Sequence, residues 1–140
     1  MNNPAKTSAT LVIERVYPHA PEKLWRALTE SRLLAEWLLS NSFEPIVGRN
    51  FQFRREPMPH WNGVIDCKVL VVESLKRLSY TWEAMGLEMV VNWTLTPADG
   101  GTHLRMEQSG FASEQDRAYK GAKYGWQNFL SGLERVLCDF

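Results

Sequence analysis

"VNWTLTPADGGTHLRMEQSGF" (residues 91–111) is two alternating apolar and polar runs hinged on Asp99-Gly100, a strong signal for a two-residue hairpin turn. Turn length fixes the register of a hairpin, and register decides which side chains share a face. With Asp99-Gly100 as the turn, Ala98 pairs with Gly101, Leu95 with Leu104, Trp93 with Met106 and Val91 with Gln108. A five-residue loop from Pro97 to Gly101 would set Trp93 beside Arg105 and mix the faces, so the tight turn is preferred.

The same reasoning extends upstream. "AMGL" (84–87), read as a four-residue loop, pairs Trp82 with Met89, Tyr80 with Val91 and Leu78 with Trp93. "ESLK" (73–76), read likewise, pairs Val71 with Leu78, Val69 with Tyr80 and Cys67 with Trp82. Three separate turns then assemble one face from Cys67, Val69, Val71, Leu78, Tyr80, Trp82, Met89, Val91, Trp93, Leu95, Leu104, Met106 and Gln108. Asp66, Lys68, Ser79, Thr81, Asn92, Thr94, Arg105 and Glu107 fall on the other, wet face. A sheet with one apolar face must have that face covered.

The cover is at the C-terminus. "YKGAKYGWQNFLSGLERVLCDF" (119–140) has helical periodicity, and Ser113, three residues before Asp116, resembles its starting cap. Three glycines interrupt it, at a propensity cost of roughly 1 kcal/mol each. On a wheel of about 100° per residue, Gly121, Gly125 and Gly132 fall within about 40° of one another, bordering the arc of Trp126, Phe129, Leu130, Leu133 and Leu137. Either a neighbouring element approaches the backbone closely along that shoulder, or the missing side chains leave space. Close approach is the favoured expectation, because glycine is the usual solution for tight helix-on-sheet contact.

Before the meander, Thr10–Tyr17 is rich in β-branched residues and reads as a strand ended by Pro18. "APEKLWRAL" (20–28) starts a short helix at Pro21, and Thr29 or Ser31 can cap a second, with Leu33, Leu34, Trp37 and Leu38 as its stripe. Six strands follow, near 42–47, 49–55, 63–72, 77–83, 88–96 and 102–109. Residues 1–9 are expected to be disordered and 10–140 to form a single domain.

Composition excludes several functions. Lys+Arg and Asp+Glu balance at 16 each without runs of like charge, so no nucleic-acid footprint is present. No apolar run approaches the ~20 residues of a membrane span, and "MNNPAKTSAT" lacks the core of a signal peptide, so a cytoplasmic location without membrane contact is expected. Two cysteines, Cys67 and Cys138, support neither a disulfide framework nor a zinc site. HExxH, GxSxG, P-loop and GxGxxG spacings do not occur, Asp66, Glu83 and Glu107 are scattered, and no cofactor is expected. His19 and His103 read as surface residues, whereas His60 in "MPHW" (58–61) is a candidate ligand contact.

Strand, two short helices, six-strand meander and long terminal helix together resemble the α+β helix-grip fold of the START-like (SRPBCC, birch-pollen-allergen-like) superfamily, a curved antiparallel sheet wrapped around a C-terminal helix. Within it the chain is similar to the family named after the activator of the heat-shock-protein-90 ATPase. The residues that carry this are "IERVYPHAPEKLWRALTESRLLAEWL" (13–38), "GRNFQFR" (48–54), "VLVVESLKRLSYTW" (69–82), the opening hairpin and "GWQNFLSGLERVL" (125–137). The family's usual proline pair before Leu78 is replaced by Ser74-Leu75.

The resemblance implies a cavity between sheet and helix that takes a hydrophobic small molecule in many relatives. Candidate ligand-binding residues are Trp37, Phe51, Phe53, His60, Trp61, Cys67, Val69, Tyr80, Trp82, Met89, Val91, Trp93, Met106, Gln108, Tyr119, Trp126 and Leu130. The leading expectation is noncatalytic binding of a hydrophobic or aromatic molecule. The alternatives are a cyclase or dehydratase using Tyr80, Gln108 or His60, and a cochaperone-like module that would bind the chaperone through an exposed apolar patch.

Overall fold

The computed structural model describes residues 9–140. The disorder expected of residues 1–8 lies outside that range, and Ala9, expected to share it, opens the first strand. In chain order the elements are β1 (Ala9–Tyr17), α1 (Pro21–Thr29), α2 (Ser31–Trp37), β2 (Ser40–Asn41), β3 (Asn50–Arg54), β4 (Val64–Glu73), β5 (Arg77–Ala84), β6 (Leu87–Ala98), β7 (Gly101–Phe111) and α3 (Arg117–Cys138). The strands form one curved antiparallel sheet ordered β1-β7-β6-β5-β4-β3-β2, and α3 lies across its apolar face in the helix-grip arrangement.

The hairpin that opened the sequence reading has the expected register, with Leu95 opposite Leu104, Trp93 opposite Met106 and Val91 opposite Gln108. Gly100 takes the positive φ of 74° that its turn requires. The β5–β6 register also agrees, but the connection is tighter than four residues. Ala84 pairs with Leu87 around Met85-Gly86, whose φ values of 53° and 80° are both left-handed, as in a type I′ turn.

The β4–β5 hairpin departs from expectation. Its loop is Ser74–Lys76, closed by the Lys76 N–H donating to the Glu73 carbonyl at 2.9 Å, with Leu75 at φ 67°. Glu73 therefore pairs with Arg77, Val72 with Leu78 and Val71 with Ser79, and a bulge at Leu70 absorbs the extra residue before Val69 meets Tyr80. Val72, not Val71, packs on the core. Ser79, expected in water, is buried on the ladder between Val71 and Asn92.

Three other boundaries move. The strand expected at 42–47 is a two-residue pairing at Ser40–Asn41 followed by irregular chain, in which Phe43 alone is buried. Glu30, whose side chain pairs with Arg26 and makes no capping bond, is the N-cap of α2, because the Thr29 hydroxyl donates back to the Trp25 carbonyl and the Ser31 hydroxyl donates to Asn41. Asp116 caps α3 by accepting from the Ala118 N–H at 3.2 Å, so the helix starts at Arg117 and not at Ser113.

Two close approaches hold β1 against the rest. A Cβ on Gly101 would overlap the Tyr17 carbonyl oxygen and sit 2.9 Å from the Pro18 Cα. Neither neighbour is a flexible side-chain end, so Gly101→Ala is expected to destabilise the fold by about 1–3 kcal/mol, lowering the urea midpoint. An unchanged midpoint would show that this corner yields. Nearby, the buried Tyr17 hydroxyl donates to the Leu130 carbonyl of α3 at 2.9 Å.

Burial pushes the Tyr17 phenol up from 10.0 to about 12, with Arg15 opposing the shift. The folded pKa lies above the unfolded one, so the stability contribution is complete below pH 10 and is lost as pH rises toward 12. Tyr17→Phe should flatten that alkaline loss in a series of melts across the window; an equally steep loss in the variant would assign it to other groups.

Candidate functional site

The residues that α3 turns toward the sheet change in size along its length. Its C-terminal half presents Leu130, Leu133, Val136 and Leu137, all buried, and closes on the sheet and on α2. Its N-terminal half presents Ala118, Gly121, Ala122 and Gly125, which cannot span the same gap. A cavity of about 590 Å³ is left there. Ile65, Trp82, Ala84, Leu87, Met89, Gln108 and Phe111 form its sheet wall, Trp126 and Phe129 its inner end, and Leu39, Arg55, Trp61, Met85, Asp116 and Arg117 the rest of its lining.

This geometry corrects the favoured reading of the glycine stripe. A Cβ placed on Gly121 or Gly125 meets no heavy atom within 4 Å. Those two glycines leave space. Only Gly132 meets a neighbouring element, with the Trp37 carbonyl oxygen 3.6 Å from its added Cβ.

The buried polar side chain of the chamber wall, Gln108, is already engaged. The Gln108 carbonyl oxygen accepts from the Trp126 indole N–H at 2.7 Å, and its amide nitrogen donates to the Met89 sulfur at 3.2 Å. Trp126 is thereby fixed in the end wall, with Trp82 tilted against it at 5.3 Å between ring centroids. At the rim, the Trp61 indole donates to the Val64 carbonyl at 3.0 Å. The result is an apolar, aromatic-walled chamber whose few polar groups orient its own walls.

Of the candidate residues, Trp61, Trp82, Met89, Gln108 and Trp126 line the chamber. Phe51, Phe53 and Tyr80 stack on one another, and Phe53 on Trp82 at 5.3 Å, one layer behind the wall. Trp37, Cys67, Val69, Val91, Trp93, Met106 and Leu130 belong to the closed core. Tyr119 is half-buried and packs edge-on against Phe111 at 5.3 Å. His60 is exposed and does not line the chamber.

Missed by sequence reasoning were Arg55, Asp116 and Arg117, which reach the chamber only through tertiary proximity. Missed too were Gly121 and Gly125, whose signal was visible as the helix stripe.

The chemistry available is limited. Tyr80 is wholly buried, accepts from the Trp93 indole at 3.0 Å and has its phenol pKa driven far up by burial. Burial does the same to the Cys67 thiol, leaving a packed, unreactive sulfur. His103 lies on the outer face with Nε2 2.8 Å from a Glu14 carboxylate oxygen. Asp66 and Glu83, scattered in sequence, are cross-strand partners, but on the exposed side of the ladder. Among the described residues, no group of three or more His, Cys, Asp or Glu is placed to hold a metal ion, and no helix is long and apolar enough to cross a membrane.

Comparison with known proteins agrees with this geometry. The family model described as Activator of Hsp90 ATPase homolog 1-like protein matches residues 18–138. No curated protein matches the chain. Among solved structures, the chain is similar to protein MLL2253 from Mesorhizobium loti, at 51% identity and a TM-score of 0.87 over 94% of this chain and 98% of that one. DynU16, a protein of the dynemicin biosynthetic locus, is 25% identical with a TM-score of 0.76, covering 96% of this chain and 48% of its own. CalU16 from Micromonospora echinospora, 21% identical with a TM-score of 0.78 over 93% of this chain and 76% of its own, shares the fold.

Proposed function

The chain belongs to the family of Activator of Hsp90 ATPase homolog 1-like proteins, and from that premise we propose that it is a noncatalytic binding protein for a hydrophobic or aromatic small molecule. The observation that carries the reading is the aromatic-walled chamber of about 590 Å³, a volume within the range of sites that enclose drug-sized ligands. Its size follows from glycines that cost the helix stability, and whose added Cβ atoms would meet nothing. The similarity to DynU16 of a biosynthetic locus supports small-molecule handling. Against catalysis stands the wall itself, where Gln108 is committed to Trp126 and Met89, and Tyr80 and His60 lie outside.

A thermal-shift screen of lipids and polycyclic aromatics tests the proposal. A ligand at 100 times its Kd adds about 2.7 kcal/mol, which for a domain of this size raises the Tm by about 5–10 °C. No shift with any compound, together with no extractable molecule in the purified protein, would contradict it.

A further inference from the structure

The chamber is apolar inside, yet its lining residues include two arginines, Arg55 and Arg117. Arg55 follows the end of β3, where its backbone N–H donates to the Gly63 carbonyl at 2.9 Å. Gly63, at φ +83°, has no room for a Cβ beside the Arg55 carbonyl, so the neck of this loop is closely fitted. Arg117 is the first residue of α3. The two arginines therefore border the chamber from separate parts of the chain, and both are exposed.

Among the described residues, ion pairs occupy Arg26, Arg32, Arg49 and Arg105, and neither Arg55 nor Arg117 takes part in one. The lining contains one opposing charge, Asp116, and one of its carboxylate oxygens accepts from the Ala118 N–H as the helix cap. The charged residues of the lining thus sum to plus one. A planar guanidinium donates paired N–H groups that match a carboxylate or sulfonate, and such charge-assisted bonds are the strong ones.

Resting on the binding function proposed above, we infer that the ligand class is an amphipathic organic acid. Its apolar body lies against Trp82, Met89 and Trp126, and its anionic group is held by Arg55 and Arg117. A neutral hydrocarbon would use only half of this arrangement, because the guanidiniums would gain nothing over water.

Two dyes with the same anilinonaphthalene rings separate the ideas: 8-anilinonaphthalene-1-sulfonate carries an anion, and N-phenyl-1-naphthylamine does not. Both brighten on entering an apolar site, so each can be titrated by fluorescence against the wild-type chain and the Arg55→Gln/Arg117→Gln variant. The substitutions are expected to weaken the sulfonate by about five- to tenfold and the neutral dye by less than about twofold. Added salt should weaken the sulfonate in the wild type but have little effect in the variant.

Equal affinity of the sulfonate for wild type and variant would overturn the anion inference and leave the binding proposal standing, as would an equal loss of both dyes. Binding of the neutral dye but not of the sulfonate to the wild type would likewise overturn the anion inference alone, whereas failure of both dyes to bind the wild type would contradict the binding proposal itself.

Discussion

Trp93→Ala is expected to cost about 3–5 kcal/mol of folding stability, the range for emptying a fully packed aromatic site. Trp93 is 0% exposed and sits on β6, between two long neighbouring strands that cannot collapse into the void. Its ring stands edge-on to Trp37 at 5.8 Å and to Trp126 at 5.5 Å, so it joins the second helix to the terminal helix through the sheet. Its indole N–H donates to the Tyr80 hydroxyl, which would lose that partner in a dry interior. Domains of this kind keep only about 5–15 kcal/mol in hand, so the variant should unfold at a sharply lower urea concentration. A loss below about 1.5 kcal/mol would mean that the aromatic layer repacks and does not hold the helices in place.

Gly125→Leu should do the reverse to stability and remove the ligand. Leucine is the better helix former by roughly 1 kcal/mol, and its Cβ meets nothing within 4 Å, so the melting temperature is expected to hold or rise. The rest of the side chain would project into the chamber beside Trp126 and occupy the volume a ligand needs. Gly132→Leu is the contrast. There the Trp37 carbonyl and Cβ lie 3.6 and 3.8 Å from an added Cβ, so a branched side chain has to displace α2 and the fold should weaken. A Gly125→Leu variant that melts lower while still binding would place α3 closer to the sheet than described.

Most of the sheet was legible because period-two patterning and turn chemistry agree. Asp99-Gly100 and Met85-Gly86 each put a glycine where a left-handed residue is needed, and the pairings followed. The β4–β5 hairpin gave no such cue. Leu75 carries its positive φ without being Gly, Asn or Asp, and the bulge at Leu70 hides in an unbroken apolar run. The 42–47 run misled for the opposite reason, since apolar residues around Pro45 imitate a strand while Phe43 alone is buried.

The site was harder to read than the fold. Core and chamber use the same side chains, and which of them face open space depends on where α3 stops touching the sheet. Trp82 and Trp93 look alike in sequence, two aromatic residues on one inner face, yet one lines the chamber and the other fills the core. The glycines marked the place, but a stripe of small residues reads equally as contact or as space until a neighbour is located. Arg55 and Arg117, 62 positions apart, had no local signal at all.

The six tryptophans provide the most direct test. In a ¹H–¹⁵N spectrum each indole N–H gives one signal, and N-phenyl-1-naphthylamine can be titrated while all six are followed. Trp61, Trp82 and Trp126 line the chamber, whereas Trp25, Trp37 and Trp93 do not. The largest shifts are expected at the first three, with Trp93 moved only through its contact with Trp126. Shifts confined to Trp25 or Trp37, or no shift at any indole with the dye in excess, would contradict binding between the sheet and the N-terminal half of α3.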